Sequence, residues 1–159
     1  MTSLQIRPAT KEDYKEIQRL NYLLFVKEHD EYAPTLNVQY PFEEGHGSEY
    51  FLKAIDDESY LTLVAENNGK LVGYLIGYHK GKQDYRVNIN LSVLDNMFVE
   101  EEFRSQGVGH QLVDKLIAWS KERGANTLKT GVFEGNNRGA NFYLRENFKA
   151  YEHILEKSI

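Results

Sequence analysis

The segment from Leu94 to Leu112 contains the residues whose types and spacing most clearly indicate chemistry. A strand-like run ends at Val99, a helix-like run begins after Gly107, and Arg104 lies in the turn between them. The first N–H groups of a helix have no internal partner and sit at the positive end of its dipole, so they bind phosphate readily. A guanidinium in the turn can neutralise a phosphate oxygen. The spacing therefore predicts a pyrophosphate site at the start of this helix.

Other phosphate-binding motifs fit this segment less well. A Walker A loop ends in Gly-Lys-Ser/Thr, which does not follow here. The dinucleotide fingerprint requires a third glycine where this chain has Leu112, and no βα repeat precedes the strand. The hypothesis that the protein is a nucleotide-binding regulator is supported by the glycine turn alone and is the weakest.

Composition limits the classes of protein that fit. The 159 residues are 41% hydrophobic, which suits one domain spanning residues 1–159. The absence of cysteine excludes a disulfide framework, a thiolate zinc site and an acyl-cysteine intermediate, and we expect no metal. The net charge of −5, without a basic cluster, argues against a nucleic-acid partner. With no signal peptide or membrane-length apolar run, we expect a soluble cytoplasmic protein without a membrane partner.

Periodicity predicts the elements that position the turn. A short strand at 4–7 precedes a helix capped at Thr10 that fades near Glu28, and Ser48 caps a second helix. Asn68-Gly69 predicts a tight hairpin between two strands. The remaining pattern predicts a strand at 87–99, a helix at 108–123, a strand at 127–133, a helix at 137–146 ended by a left-handed Asn147, and a final strand at 148–155. This order gives a mixed α/β domain with an antiparallel centre, not a doubly wound sheet.

Four segments in order resemble the GNAT acetyltransferases. Arg104-x-x-Gly107-x-Gly109 resembles the family's Q/R-x-x-G-x-G/A motif, with Val99 five residues before the arginine. The segments 6–10 and 68–74 resemble its opening strand and second hairpin, and the segment from Asn136 through Tyr143 to Phe148 resembles its C-terminal motif. Gly139 and Asn147 replace the family's usual alanine and glycine, and the usual proline after Val99 is missing.

The resemblance implies a fold and a cofactor. The fold would be the GNAT fold, an α/β (α+β) domain with a mixed, mostly antiparallel sheet of about six or seven strands flanked by four helices. The co-substrate would be acetyl-CoA, with its pyrophosphate at the N–H groups of residues 106–110 and its pantetheine along the preceding strand. A homodimer is also compatible with it. The expected cofactor-binding residues are Phe98, Val99, Arg104, Ser105, Gln106, Gly107, Val108, Gly109, His110, Asn136 and Tyr143.

Tyr143 matches the family's tyrosine that protonates the departing CoA sulfur. Without the resemblance, a core tyrosine on an amphipathic helix would be the simpler interpretation. The general base is less defined: Asp95, on the strand that leads into the turn, ranks ahead of Glu134 as a candidate that relays a proton through water. With no cysteine available, the acceptor amine is expected to attack the thioester directly in a ternary complex.

The acceptor site is expected at the first two helices and their connection. Residues 11–58 contain twelve acidic and five basic residues, a balance of −7, together with many aromatic residues. Carboxylates beside aromatic faces suit a small cationic amine, although packing between helices and solvated surface would explain part of the pattern. The alternative function is a non-catalytic sensor or scaffold that binds acyl-CoA. The expected acceptor-binding residues are Tyr22, Phe25, His29 and Tyr32.

Overall fold

A computed structural model describes residues 4–159 of the chain. Five strands and four helices follow one another in the order β-α-α-β-β-β-α-β-α. The strands are β1 (Leu4–Pro8), β2 (Tyr60–Asn67), β3 (Lys70–Lys82), β4 (Asn90–Val99) and β5 (Thr127–Lys129). The helices are α1 (Tyr14–Glu31), α2 (Gly47–Asp56), α3 (Val108–Glu122) and α4 (Asn137–Arg145).

The strands form one sheet in sequence order. The pairs from β1 to β4 are antiparallel, and β5 joins β4 in parallel. Asn68 and Gly69 connect β2 and β3 with φ values of 52° and 80°, as a type I′ hairpin turn requires. The predicted hairpin and the predicted antiparallel centre are therefore confirmed.

The sheet separates two apolar cores. Helices α1 and α2 cover one face, where Ile17, Leu20 and Phe51 are buried against strand residues such as Tyr74. Helix α3 covers the other face, and α4 packs there through partly buried aromatic residues. The α3 core contains Leu63, Ala65, Val72, Leu75, Leu94, Val108, Leu112, Val113 and Leu116.

Local sequence signals explain where the helices begin and end. The Asp13 carboxylate accepts a hydrogen bond from the Thr10 backbone N–H at 2.8 Å, which closes a 3₁₀ turn that leads into α1. Gly124, with φ 79°, follows the end of α3, and Asn147, with φ 66°, follows α4. Both are left-handed residues of the kind that end helices, as the sequence predicts.

Several predicted boundaries are wrong, mainly at the C-terminus. The sheet has five strands rather than the expected six or seven. The predicted strand at 127–133 ends at Lys129, and β4 begins at Asn90 rather than at residue 87. Residues 148–155 form no strand although their apolar pattern fits one, because no neighbouring strand satisfies their backbone groups. Helix α1 continues beyond Glu28 to Glu31.

Within residues 4–159, no helix combines the length and apolarity that crossing a membrane requires.

Candidate active site

The turn between β4 and α3 presents free backbone N–H groups. Gly107 caps α3 with φ 78°, and Ser105 has φ 61°, so two left-handed residues bend the chain into the helix. The first backbone bond of the helix runs from the Gln111 N–H to the Gly107 carbonyl, at 3.0 Å. The N–H groups of residues 105–110 have no backbone acceptor in the part of the chain that the structure describes. They form a concave set of donors that suits an anion.

Glycine is required at the two positions of the motif for different structural reasons. A Cβ on Gly107 would meet nothing within 4 Å, so its positive φ is what favours glycine. A Cβ on Gly109 would lie 3.1 Å from the ring of Phe142 on α4. Gly109 therefore lets Phe142 of α4 pack closely against the first turn of α3.

Arg104 is held beside this turn by contacts other than ion pairs, since no carboxylate within residues 4–159 forms one with it. Its Nε donates to the Val99 carbonyl at 2.7 Å, and its guanidinium lies 5.3 Å from the centre of the Phe98 ring. Burial lowers the pKa of Arg104, and the positive charge of Arg138 lowers it further. Arg138 lies in the first turn of α4, where the helix dipole disfavours a cation. Neither guanidinium forms an ion pair among the described residues, although the charges of Glu101 and Glu31 act on Arg104. Two cations near a helix N-terminus suit an anion with more than one charge.

Sequence reasoning missed Arg138. Its proximity to Arg104 depends on how α4 packs on α3, and the two residues are 34 positions apart. The available signal was a cation one residue inside a predicted helix N-terminus, the position where the dipole disfavours it. An open groove of about 760 Å³ continues from Arg104 along Phe98 towards Leu23 and Lys27 of α1.

The parallel pair of β4 and β5 separates halfway along β4. Pairing covers only Leu91 to Val93 against Thr127 to Lys129. The Thr130 hydroxyl then donates to the Leu94 carbonyl at 3.1 Å, and beyond this bond β4 continues to Val99 without a strand partner on that side among residues 4–159. This separation leaves a gap in the sheet next to the start of α3.

Tyr143 closes the gap from the α4 side. Its ring makes edge contacts with Phe142 and Phe148, with centres 5.1 Å and 5.2 Å away. Burial raises the pKa of Tyr143 to about 12, and a hydrogen bond with the Thr130 side chain opposes part of this rise. The phenol is therefore protonated throughout the neutral range and lies where β4 and β5 separate.

Asp95 occupies a β-bulge at the same level of the sheet. Ile76 faces Asn96 and Gly77 faces Leu94, so Asp95 has no partner on β3. A bulge of this kind can turn two successive side chains towards the same face. Both Asp95 and Asn96 contact the Tyr50 hydroxyl of α2: it donates to Asp95, and the Asn96 amide donates to it at 3.0 Å. The Asp95 carboxylate is exposed and already engaged by these donors.

A polar network continues from this bulge to α1. The Asn21 amide donates to the Tyr74 hydroxyl at 2.7 Å and lies 3.5 Å from Asn96 Oδ1. Burial raises the pKa of Tyr50 and of Tyr74 strongly, so both phenols stay protonated. The network links α1, α2, β3 and β4 on the face opposite α3.

Glu28 of α1, like Arg138, has a role in the site that the sequence did not single out. It was grouped with the acidic residues of the acceptor region, but its side chain is half-buried and burial raises its pKa to about 7. No residue in the described range 4–159 forms an ion pair with it. The sequence signal was its position seven residues after Asn21, which places both side chains on the same face of the helix.

The predicted acceptor aromatics mostly pack against the connection between α1 and α2. The Tyr22 ring lies 5.6 Å from Phe42, and the Phe25 ring stacks at 5.9 Å on Tyr40. His29 contacts the adjacent Asp30 at 2.8 Å. Tyr32 ends α1, and a Cβ on Gly135, just before α4, would be 3.6 Å from its ring. The structure thus brings Tyr32 towards α4, whereas the other three residues have their closest partners on α1 or on the connection to α2.

Two further predicted cofactor residues are held by α4. Asn136 caps α4 by accepting the Gly139 N–H at 2.9 Å. The His110 imidazole lies between Glu146, at 2.9 Å, and Asp114, at 3.1 Å. The hydrogen bond with Glu146 is the main cause of the raised pKa of His110. The side chain of His110 therefore joins α3 to α4, and only its backbone N–H faces the anion site. The possible ligand atoms of His110, Asp114 and Glu146 lie within 4.8 Å of one another, as this ion-pair cluster requires.

Comparison with known proteins identifies the family. The model of the acetyltransferase (GNAT) family matches residues 15–148, and the chain belongs to this family. Its members are acetyl-CoA-dependent, so the class of the enzyme is N-acetyltransferase with acetyl-CoA as co-substrate.

Individual relatives are distant. An uncharacterised N-acetyltransferase of Archaeoglobus fulgidus is 24% identical over 94% of this chain and 95% of its own length. Streptothricin acetyltransferase A of Bacillus subtilis is 29% identical over 67% of this chain. The chain spans 62% of that protein, and 39% of an N-acetyltransferase of Methanocaldococcus jannaschii that is 30% identical over 56% of this chain.

The fold agrees with solved structures. An aminoglycoside N-acetyltransferase in complex with CoA superposes with a TM-score of 0.78 at 14% identity, covering 100% of this chain and 96% of the other. This likeness confirms the predicted fold class, with the strand count corrected to five.

Proposed function

We propose that the protein transfers the acetyl group of acetyl-CoA to a primary amine of a small cationic acceptor by direct attack in a ternary complex, with Tyr143 as the general acid. The observation that carries this proposal is the position of the Tyr143 phenol in the gap between β4 and β5, beside the start of α3. The thioester arm of a cofactor bound at that helix would enter the gap and bring its sulfur to the phenol.

The anion site supports the placement of the cofactor. The pyrophosphate would accept from the free N–H groups of residues 106–110 and lie between the guanidiniums of Arg104 and Arg138. The pantetheine would run along Phe98 and Val99, because the edge of β4 there has no strand partner. Its amides could then replace the missing strand, as an extended peptide does at a sheet edge.

The chemistry of the leaving group suits a buried phenol. A free thiol has a pKa of about 8.5, so a thiolate does not take a proton from a phenol of higher pKa unless the two are aligned in the transition state. Burial raises the pKa of Tyr143 and so makes it a weaker acid, which increases the need for alignment, while the same burial excludes water that would compete for the sulfur. Such a donor contributes about 10²–10⁴-fold in typical enzymes.

Acidic residues on the α1 side support a cationic acceptor. Glu28 and Glu31 lie in the last turn of α1, and Tyr32 at the end of the helix contributes an aromatic face. Relatives whose names specify streptothricin or an aminoglycoside as the acceptor agree with a small-molecule acceptor for this chain.

A screen of amines tests the proposed function. Purified protein is incubated with acetyl-CoA and polyamines, amino sugars and basic amino acids, and free thiol is measured against neutral and anionic amines. The proposal expects thiol release with at least one cationic amine, and mass spectrometry should find the product heavier by one acetyl group. Binding of CoA without turnover of any amine would overturn it in favour of a non-catalytic acyl-CoA sensor.

The exposed C-terminus supports a dimer. Tyr151, Ile154 and Leu155 are 66%, 83% and 91% exposed, and they lie in the segment with a strand pattern but no strand partner. We infer that a second copy of the chain covers this segment by strand pairing. Sedimentation should give a dimer for the wild type and a monomer for Ile154→Asp. A wild type that is monomeric at micromolar concentration would contradict the inference.

A further inference from the structure

Glu28 lies half-buried in the last turn of α1, and Tyr32, which ends that helix, brings its ring close to Gly135 just before α4. Glu28 lies two helical turns after Asn21, whose amide contacts Tyr74 and Asn96 over β3 and β4. Residues seven apart on a helix share a face. The side chains of Glu28 and Asn21 therefore lie on the same inner face of α1, with Glu28 nearer the C-terminal end of the helix.

The charge of Glu28 acts on nearby phenols, which agrees with its position on the inner face of α1. Burial is the main cause of the raised pKa of Tyr143 on α4 and of Tyr74 on β3, and the negative charge of Glu28 adds to both. Tyr32, whose pKa is raised chiefly by its hydrogen bond with Glu31, is raised further by Glu28. Arg138 of α4 acts on Tyr32 in the opposite direction. From β4 and α2, Asp95 and Tyr50 complete the charged and titratable groups that face this space.

Other carboxylates of comparable burial have cationic partners, whereas Glu28 has none within residues 4–159. Glu100 lies 2.8 Å from Arg19 and 3.1 Å from Lys70, and Asp13 lies 2.7 Å from Arg7. Burial alone raises the pKa of Glu28, with no hydrogen bond or opposite charge acting on it. A desolvated carboxylate without a partner is unfavourable, and an incoming cation would relieve that cost.

We propose that Glu28 is a catalytic residue that binds the ammonium group of the acceptor in the gap and removes its proton before attack. This proposal rests on the proposed acetyltransferase function and deepens it, since it assigns the base for which Asp95 was the earlier candidate. Asp95 is exposed and already accepts hydrogen bonds from Tyr50 and Asn96, so it positions Tyr50 rather than serving the amine.

The proton and electron balance is complete with Glu28 and Tyr143 alone. The ammonium gives one proton to the Glu28 carboxylate, and the nitrogen lone pair then forms a bond to the thioester carbon. As the carbon–sulfur bond breaks, its electron pair stays on sulfur, which takes the Tyr143 proton. The Tyr143 phenolate recovers the second proton of the nitrogen, and Glu28 releases the first to solvent. The products are an amide, free CoA thiol and one proton.

The environment of Glu28 suits this role. Raising the pKa of its carboxyl from 4.5 to about 7 makes proton transfer from an ammonium about 300-fold less unfavourable than it is to an ordinary glutamate. A base whose pKa lies near the working pH combines a useful basicity with a large deprotonated fraction.

The kinetic test compares three substitutions across pH. With the best amine from the screen, wild-type kcat/KM should fall on the acid side with an apparent pKa near 7. Glu28→Gln should lose about 10²–10³-fold at pH 7, and the loss should shrink as pH approaches the pKa of the amine. Glu16→Gln, on the same helix but exposed and paired with Arg19, is the matched control and should keep the wild-type profile. The assignment would be overturned if Glu28→Gln kept the wild-type kcat/KM and its fall at acid pH. It would also be overturned if Asp95→Asn showed the expected loss and Glu28→Gln did not.

A binding measurement separates this proposal from the proposed function. Calorimetry in the presence of CoA measures the affinity of wild type and Glu28→Gln for 1,4-diaminobutane. Glu28→Gln should bind it at least tenfold more weakly while its affinity for CoA is unchanged. Equal affinity for the diamine in both proteins would overturn the assignment to Glu28, whatever the activity. Weakened diamine binding without turnover of any amine would leave the site assigned and refute acetyl transfer.

Discussion

Replacing Glu28 by glutamine should stabilise the free protein above pH 7 and leave its stability nearly unchanged at pH 4.5. The folded pKa of this carboxyl is about 7, raised from 4.5 by burial. Between these values the folded state binds more protons than the unfolded state, so stability falls as pH rises through this window. The loss is complete above the folded pKa, and glutamine avoids it because it is never charged.

The magnitude follows from the size of the shift. At about 1.36 kcal/mol per pKa unit, the shift sets a ceiling of about 3.4 kcal/mol. The carboxylate is only half-buried, so solvent screening reduces the expected gain to about 1–2 kcal/mol. For a domain of this size, that corresponds to a rise in Tm of roughly 2–8 °C.

Thermal unfolding at pH 4.5, 6 and 8 measures this effect. The difference in Tm between Glu28→Gln and wild type should grow from near zero to its full value across the series. Glu16→Gln should show no such growth, because it loses only an exposed ion pair. A Glu28→Gln protein that is less stable than wild type at pH 8, or a difference independent of pH, would show that Glu28 has a partner and would refute the reasoning.

Three further predictions concern the cofactor, the acid and the acceptor. Gly107→Val should weaken CoA binding at least tenfold by calorimetry, because a β-branched residue is strained at φ 78° and the turn would no longer present its N–H groups together. Gly81→Val, with φ 86° and equally open space, should have a similar strain but bind CoA normally, and equal binding in the two variants would contradict the placement. Tyr143→Phe should lower kcat by about 10²-fold with CoA affinity and Tm nearly unchanged. The control variant Tyr78→Phe should keep the wild-type rate. Wild-type turnover in Tyr143→Phe would exclude Tyr143 as the acid. Raising ionic strength should raise KM for a cationic acceptor by screening the acidic side of the cleft, and a KM that does not change with salt would argue against electrostatic recognition.

Local patterns were sufficient for the cofactor side of the fold. The glycine turn, the apolar period of α3 and the ends of α3 and α4 depend on residues close together in sequence, and the structure confirms them. The Asn68-Gly69 hairpin belongs to the same group. The final strand was predicted wrongly because a strand needs a partner, and an alternating pattern at 148–155 does not show whether one is available.

The acceptor side required the tertiary structure. Glu28 and Tyr143 are 115 positions apart, and only the tertiary structure places the charge of Glu28 where it acts on the Tyr143 phenol. The aromatic residues Tyr22 and Phe25 have the composition of a cation site, yet they pack on Phe42 and Tyr40. Composition identified the region but could not distinguish residues that line the cleft from residues that support it.

The sheet divides the molecule into two halves that can change independently. Helices α1 and α2 belong to one apolar core, and α3 with α4 belongs to the other, so replacing the first layer disturbs no side chain in the core of the second. The two halves also meet where Arg19 of α1 pairs with Glu100 and where Leu23 and Lys27 border the groove beside Arg104. An exchange of residues 14–56 that retains these three side chains should therefore transfer acceptor preference while the cofactor half keeps its affinity. Because of this division, acceptor preference can change during evolution while binding of the co-substrate is retained.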